Sequence, residues 1–322
     1  MKMKKWWLDF LKGTTIGFAI PIPGVSGGTM AVLSGIFDKI IDAVSNFKTH
    51  FKESFKTLLP IALGALTMAI IGFIGIKKGF DYAPFALSAL FGGLVLGSLP
   101  TVTRELKANA LDFWGVFRII VGFIVAAGVG IASSLIFYYY GFSIAEYMAS
   151  DVWWIYPVFL AAGFIGAVAS VIPGISGSMI MYLMGLYVPL VSLFTTWSNW
   201  GEAAYLPLIL GGAALIVIGA LAGFVVANLW MKSLLSKRHD QTYQTIFGFI
   251  LGSLVSMFAN PQMIRTDEAT LTKYWVYANR PTGEWIVGVI LFVGAAVLLF
   301  CLTTKAYRKK GPKKLPNENE GE

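Results

Sequence analysis

The sequence predicts an all-α polytopic membrane protein made of two inverted-topology repeats, each a re-entrant helical hairpin plus three transmembrane helices. Three observations carry that expectation. The chain is 57% hydrophobic and 13% charged, whereas soluble domains carry about a quarter charged residues; its mean hydropathy is +0.71. Its apolar residues fall in long runs, and a spanning helix needs about 20 in succession. One short motif, Pro-Gly-x-Ser-Gly, occurs twice, within PIPGVSGG at 21–28 and VIPGISGS at 171–178.

The elements follow in order. Residues 1–12 are basic and imitate the start of a secretory signal peptide. The apolar stretch behind them is broken by Pro21 and Pro23 and closes on no small-x-small cleavage site, so the segment reads as a cytoplasmic N-terminus. The next stretch, 13–44, is too long for one span and is interrupted by the first motif. Helices do not run through Pro-Gly without penalty, and bare backbone at membrane depth survives only where protein or water covers it. The stretch therefore reads as a re-entrant hairpin. Spans at 57–76, 82–102 and 115–140 complete repeat 1 (13–140). Repeat 2 (153–304) opens with a second interrupted stretch, 153–190, and continues with spans at 204–231, 242–260 and 284–304. The tail, 305–322, is polar, first basic and then acidic, and is expected to be disordered.

Charge supports the hairpins. If both stretches return to the side they left, all of the 25 lysines and arginines lie inside except Lys77, Lys78, Arg265, Lys273 and Arg280. If both cross the membrane, the split falls to about 15 against 10, a poorer match to the positive-inside rule. Both termini are then cytoplasmic. The ten tryptophans fall at predicted span ends, where an interfacial aromatic belt places them. The net charge of +8 belongs to these flanks, so no nucleic-acid partner is expected. Cys301 is the single cysteine, which excludes a disulfide within the monomer.

The motif belongs to a wider internal repeat. IPGVSGG at 22–28 returns as IPGISGS at 172–178, LPIALGALTMAIIG at 59–72 as LPLILGGAALIVIG at 206–219, and LGSL at 96–99 again at 251–254. The offsets are about 150, 147 and 155, drifting as loop insertions would make them. Three spans per half is an odd number, so the second half starts on the opposite face. Inverted repeats place substrate near the bilayer midplane, at the ends of discontinuous helices.

Each motif has the chemistry of an anion site. A turn at Pro23-Gly24 or Pro173-Gly174 leads to Ser26 or Ser176, favoured N-cap residues. Gly27, Gly28 and Thr29, and Gly177 and Ser178, then open a helix with bare amides and, by expectation, the positive end of a helix dipole. The competing reading is that small residues merely pack helices closely; duplication at matched places in two halves favours a site. Arg118, near a span end, is the cation best suited to a phosphate. Thr14 and Thr15 more often bond their own backbone, Lys12 and Asp38 read as interfacial, and His50 and His239 as solvated. No acidic or basic residue lies deep in an ordinary span, so coupling to a proton needs an unusual group; sodium is the other candidate ion. No His, Cys or carboxylate cluster has metal-ligand spacing, no cofactor is expected, and catalysis is not.

With PIPGVSGGT at 21–29, IPGISGS at 172–178 and the LGSL segments in view, the chain resembles the polyprenyl-phosphate transporter family, the PopT-type undecaprenyl-phosphate translocases of bacteria and archaea, from about Lys12 to Thr304. The resemblance implies a non-enzymatic flippase of the bacterial cytoplasmic membrane. It would return undecaprenyl phosphate from the outer to the inner leaflet, recycling the lipid carrier for peptidoglycan and other envelope polymers. The motif carries over to Pro23, Gly24, Ser26, Gly27, Gly28, Pro173, Gly174, Ser176, Gly177 and Ser178, with Ser178 standing where the first copy has Gly28. Without the resemblance, a small-anion channel or exchanger fits the residues equally. A membrane enzyme acting on lipid phosphates and a structural subunit fit them less well.

Overall fold

The computed structural model describes residues 2–106, 112–140, 152–196, 200–202, 205–267, 270, 272–276 and 281–310. Helix α1 (Lys2–Ala19) leads to the first motif, followed by the short helices α2 (Gly27–Leu33) and α3 (Phe37–Ser45). Four helices complete the first half: α4 (Phe51–Tyr82), α5 (Pro84–Ser98), α6 (Pro100–Thr103) and α7 (Phe113–Tyr140). The second half repeats the order with α8 (Ile155–Val171), α9 (Gly177–Leu183), α10 (Tyr187–Thr195), α11 (Leu206–Lys237), α12 (His239–Phe258) and α13 (Thr282–Lys310). Between α12 and α13, β1 (Ile264–Thr266) and β2 (Lys273–Trp275) pair antiparallel. Six helices among the described residues are long and apolar enough to cross a membrane, and they coincide with the six ordinary spans of the sequence. The fold is that of an all-α polytopic membrane protein.

Three details differ from the sequence reading. First, α1 runs unbroken from Lys2, because nothing before Ala19 interrupts it; the basic leader and the first hairpin arm are one helix. Asp9 is thereby buried and paired with Lys39 of α3. At the other end α13 continues to Lys310, into the segment expected to be disordered, while 311–322 lie outside the described residues. Second, each interrupted stretch breaks twice. Gly24 and Gly174 (φ 84° and 80°) form the motif turns, and Gly35 and Gly185 (φ 68° and 73°) form a further left-handed turn beyond the short helix. The second break bends α9 from α10 by 109°. Third, the two halves register differently from the 59–72 and 206–219 match. Phe51 to Leu206 and Tyr82 to Lys237 both step by 155, as do Pro84 to His239 and the LGSL copies. The offset is 150 through α3 and α10, so the second half simply has a longer connection before its first span. The likeness at an offset of 147 is one of composition.

Glycines on carbonyls hold the helices together. A Cβ on Gly13 would lie 2.2 Å from the Ile61 carbonyl oxygen, and one on Gly64 2.1 Å from that of Phe10, which locks α1 on α4. Gly163 against Ile216 and Gly219 against Leu160 repeat the arrangement between α8 and α11. The remaining pairs exchange partners between halves: α5 packs on α13 through Gly93 and Phe292, and α7 on α12 through Gly248 and Ile119. Lipid offers apolar side chains no reason to leave it, so helix association in membranes rests on such close packing. Because each half's second span needs the other half's third, neither half is a closed unit. At their junction Tyr182 is fully buried against Phe80 and Phe91, its hydroxyl 2.6 Å from Ser88 Oγ.

Candidate anion site between two broken helices

The motifs fold alike for a local reason. After the Pro-Gly turn, Ser26 (φ −96°, ψ 136°) and Ser176 (φ −121°, ψ 149°) adopt extended N-cap geometry. Ser26 Oγ accepts the Thr29 N–H at 3.1 Å, and Ser176 Oγ accepts the Met179 N–H at 3.3 Å. A helix start leaves its first amides unpartnered. The amides of Gly27, Gly28 and Ser178 have no acceptor among the described residues. Helices α2 and α9 have only seven residues each, so the helix-dipole contribution expected from sequence is small; amides and hydroxyls are what the tips offer.

The two tips touch. The Gly24 N–H of the first donates to Ser176 Oγ of the second at 3.2 Å, across 152 residues of chain. The Tyr187 hydroxyl, from α10, donates to the Pro21 carbonyl. Beside these contacts lies a cavity of about 880 Å³. Ser26, Gly27 and Gly28 line it from one side, Ser176, Gly177 and Ser178 from the other. The remaining walls are mostly apolar, including Phe73, Met181, Leu190, Val191, Phe194 and Leu221, and the described lining contains no charged side chain.

Of the residues singled out by sequence, those six face the cavity. Pro23 and Gly24 are buried behind the first tip. A Cβ on Gly24 would meet the Val95 backbone nitrogen at 2.7 Å, so the turn is seated directly on α5. Pro173 and Gly174 are half-buried behind the second tip. Thr29 Oγ1 lies 3.1 Å from Ser26 Oγ and supports the cap. Arg118 is elsewhere: it lines a second pocket of about 470 Å³, and its Nη1 donates to Gln244 Oε1 at 2.9 Å. Thr14 and Thr15 bond backbone carbonyls three residues back, as expected. His239 is not simply solvated, since Nε2 lies 3.4 Å from Glu105.

Two residues were missed. Ser170 lines the cavity, accepts the Gly177 N–H at 3.1 Å and donates to the Gly166 carbonyl. Tyr187 lines it and links α10 to the first tip. Neither has a counterpart in the first half, where Ile20 and Phe37 stand 150 positions earlier, so a search for duplicated residues passes over them. Among the described residues no group of three or more His, Cys, Asp or Glu converges as a metal site would require.

The model of the VCA0040-like, undecaprenyl phosphate translocase-like family matches residues 16–274. A polyprenyl-phosphate transporter of Staphylococcus aureus is 30% identical over 258 residues, covering 78% of this chain and 86% of its own. A polyprenyl-phosphate transporter of Vibrio cholerae is 22% identical over 330 residues, covering 94% and 97%. No solved structure matches the chain. These names describe transporters and not enzymes, and the chain belongs to the undecaprenyl phosphate translocase-like family.

Proposed function

We propose that the protein moves undecaprenyl phosphate across the bacterial cytoplasmic membrane, from the outer to the inner leaflet, with the phosphate held between the two motif tips near the midplane. One observation carries this reading: two chemically matched tips meet through Gly24 and Ser176 at the edge of one cavity whose described lining bears no charge. The amides of Gly27 and Gly28 and the hydroxyls of Ser26, Ser176 and Ser178 supply donors for phosphate oxygens. Donors without formal charge favour release, since a buried arginine clamp would hold the anion more tightly. The apolar walls suit the first isoprene units, and the rest of the tail stays in lipid. Transport then follows from inverted halves that rock about the tips, opening the cavity to one leaflet at a time, with sodium or protons as the coupling ion. In this topology both tips enter as re-entrant hairpins from opposite faces, and both termini are cytoplasmic.

The test is transbilayer movement of fluorescent undecaprenyl phosphate in proteoliposomes, with chloride and phosphate flux measured in parallel. Ser26→Leu with Ser176→Leu should insert normally and abolish lipid movement. Wild-type lipid movement by that variant would overturn the role of the tips. Ion flux without lipid movement would transfer the cavity to a small anion, which amide donors bind equally well.

A further inference from the structure

The Arg118 pocket lies across the second tip from the main cavity. Helix α8 separates the two: Gly163, Gly166 and Ser170 face the cavity, whereas Ile165, Ala169 and Ile172 face the pocket. Ile175, inside the second motif, lines both. Helix α11 continues from one to the other, with Leu221 and Phe224 on the cavity and Trp230 and Leu234 on the pocket. The pocket is apolar within and carries Arg118 and Arg238. Its lining residues Met231 and Arg238 adjoin Lys232 and Lys237 in the chain, and Glu105, next to Arg104, lies 3.4 Å from His239; the positive-inside rule assigns such a basic end to the cytoplasm. Arg118 spends one N–H on Gln244, and a guanidinium has five to give.

Resting on the function proposed above, we propose that this pocket is a second station for the same lipid. Arg118 and Arg238 take the phosphate of a polyprenyl monophosphate at the cytoplasmic interface, and the apolar floor takes its first isoprene units. The chemistry of the pocket selects this occupant. An arginine pair complements a monophosphate, which bears more charge than a phosphodiester, and arginine binds it through paired N–H groups. The volume, about 470 Å³, suits one headgroup and the start of one chain. Ile175 and α11 are walls common to both, so the pocket lies next to the cavity on the far side of α8, where a lipid passing the second tip would arrive.

A photoreactive diazirine analogue of farnesyl phosphate, applied to the full-length protein in nanodiscs, tests this. Peptides holding Trp230–Leu234 or Ile246–Phe249 should be labelled, and the matching farnesol analogue should leave them unlabelled. Arg118→Gln with Arg238→Gln should reduce that labelling at least tenfold while leaving label at the motif tips. Arg118→Lys with Arg238→Lys, which keeps the charge, should restore part of it and so separates charge from misfolding. Undiminished labelling in the glutamine variant would overturn the proposal, as would competition by excess phosphatidylglycerol equal to that by unlabelled farnesyl phosphate, which would mark a general anionic-lipid site. The two readings fail separately. Label lost at the tips but kept in the pocket counts against the midplane site, and the reverse counts against this one.

Discussion

At the first tip every residue from Pro21 to Val25 is buried, whereas at the second Val171 to Gly174 are only half-buried, with Ile172 bordering the Arg118 pocket. The backbones are nearly the same, with Gly24 and Gly174 within a few degrees in φ. Their seats are not. The first turn presses on the α5 backbone at Val95; the second meets the side chains of Val102 and Ile250. Under the proposed inverted-repeat mechanism, similar motifs in unequal surroundings are expected of a transporter held on one side of its cycle, the opposite state being reached when the two halves exchange surroundings. On the proposed mechanism, the asymmetry is the record of which way the cavity faces.

The largest expected effect comes from placing a methyl group on each turn. Alanine at φ near +80° costs about 1–2 kcal/mol wherever it stands. At position 24 the added Cβ also collides with backbone, which cannot rotate away, so Gly24→Ala should lose about 3 kcal/mol or more and express poorly. At position 174 the obstacles are side-chain methyl groups of Val102 and Ile250 rather than backbone, so Gly174→Ala should lose less, about 2 kcal/mol, and still fold. Thermal unfolding in detergent reads the difference. Equal losses would mean that both tips visit the crowded seat equally, and the comparison would fail.

A second contrast lies in the hairpin arms. Asp9 and Lys39 form an ion pair between α1 and α3, where the second half has fully buried Phe159 and half-buried Pro189. One arm pair is held by charge, the other by packing. Lys39 retains a path to water, its side chain 30% exposed, so Asp9→Leu should cost about 1–2 kcal/mol, below the penalty for stranding a fully buried charge. Asp9→Leu with Lys39→Leu, which imitates the second half, should recover most of that loss. A double variant weaker than the single one would show that the pair does more than join the arms.

The sequence made this comparison visible only in part. The spans were legible because lipid demands long apolar runs, and the tips because Pro-Gly cannot be helix interior. The second turn at Gly35 and Gly185 is not legible although Leu33-Ser34-Gly35-Ile36 and Leu183-Met184-Gly185-Leu186 stand 150 apart, since one glycine in an apolar run is a weak signal. Asp9 escaped because a basic leader reads as solvent-exposed until the partner at Lys39 is seen. The register of α4 against α11 is not fixed by sequence because both are Leu-, Ile- and Gly-rich, and composition aligns such helices at several offsets; only which glycine meets which carbonyl decides. Arg118 is legible as a cation suited to phosphate, but its place in the second pocket is not, as nothing in spacing says which helix face looks at the tips.

The smallest contrast bears most directly on binding. At the second tip Ser170 takes the Gly177 N–H, while at the first tip the corresponding position is Ile20 and the Gly27 amide has no acceptor among the described residues. One tip therefore offers more free amides than the other, and a phosphate between them should lean toward the first. Removing the hydroxyl frees an amide: Ser170→Ala should cost about 1 kcal/mol of stability and improve apparent substrate affinity by about threefold, the scale of one weak added hydrogen bond. Ile20→Ser tests the converse by offering Gly27 an acceptor of its own, and should weaken apparent affinity by a similar factor. Initial rates of lipid movement against substrate concentration separate affinity from turnover. If both variants move affinity in the same direction, the amides are not counted by the substrate, and the hydroxyls of Ser26, Ser176 and Ser178 must carry the phosphate alone.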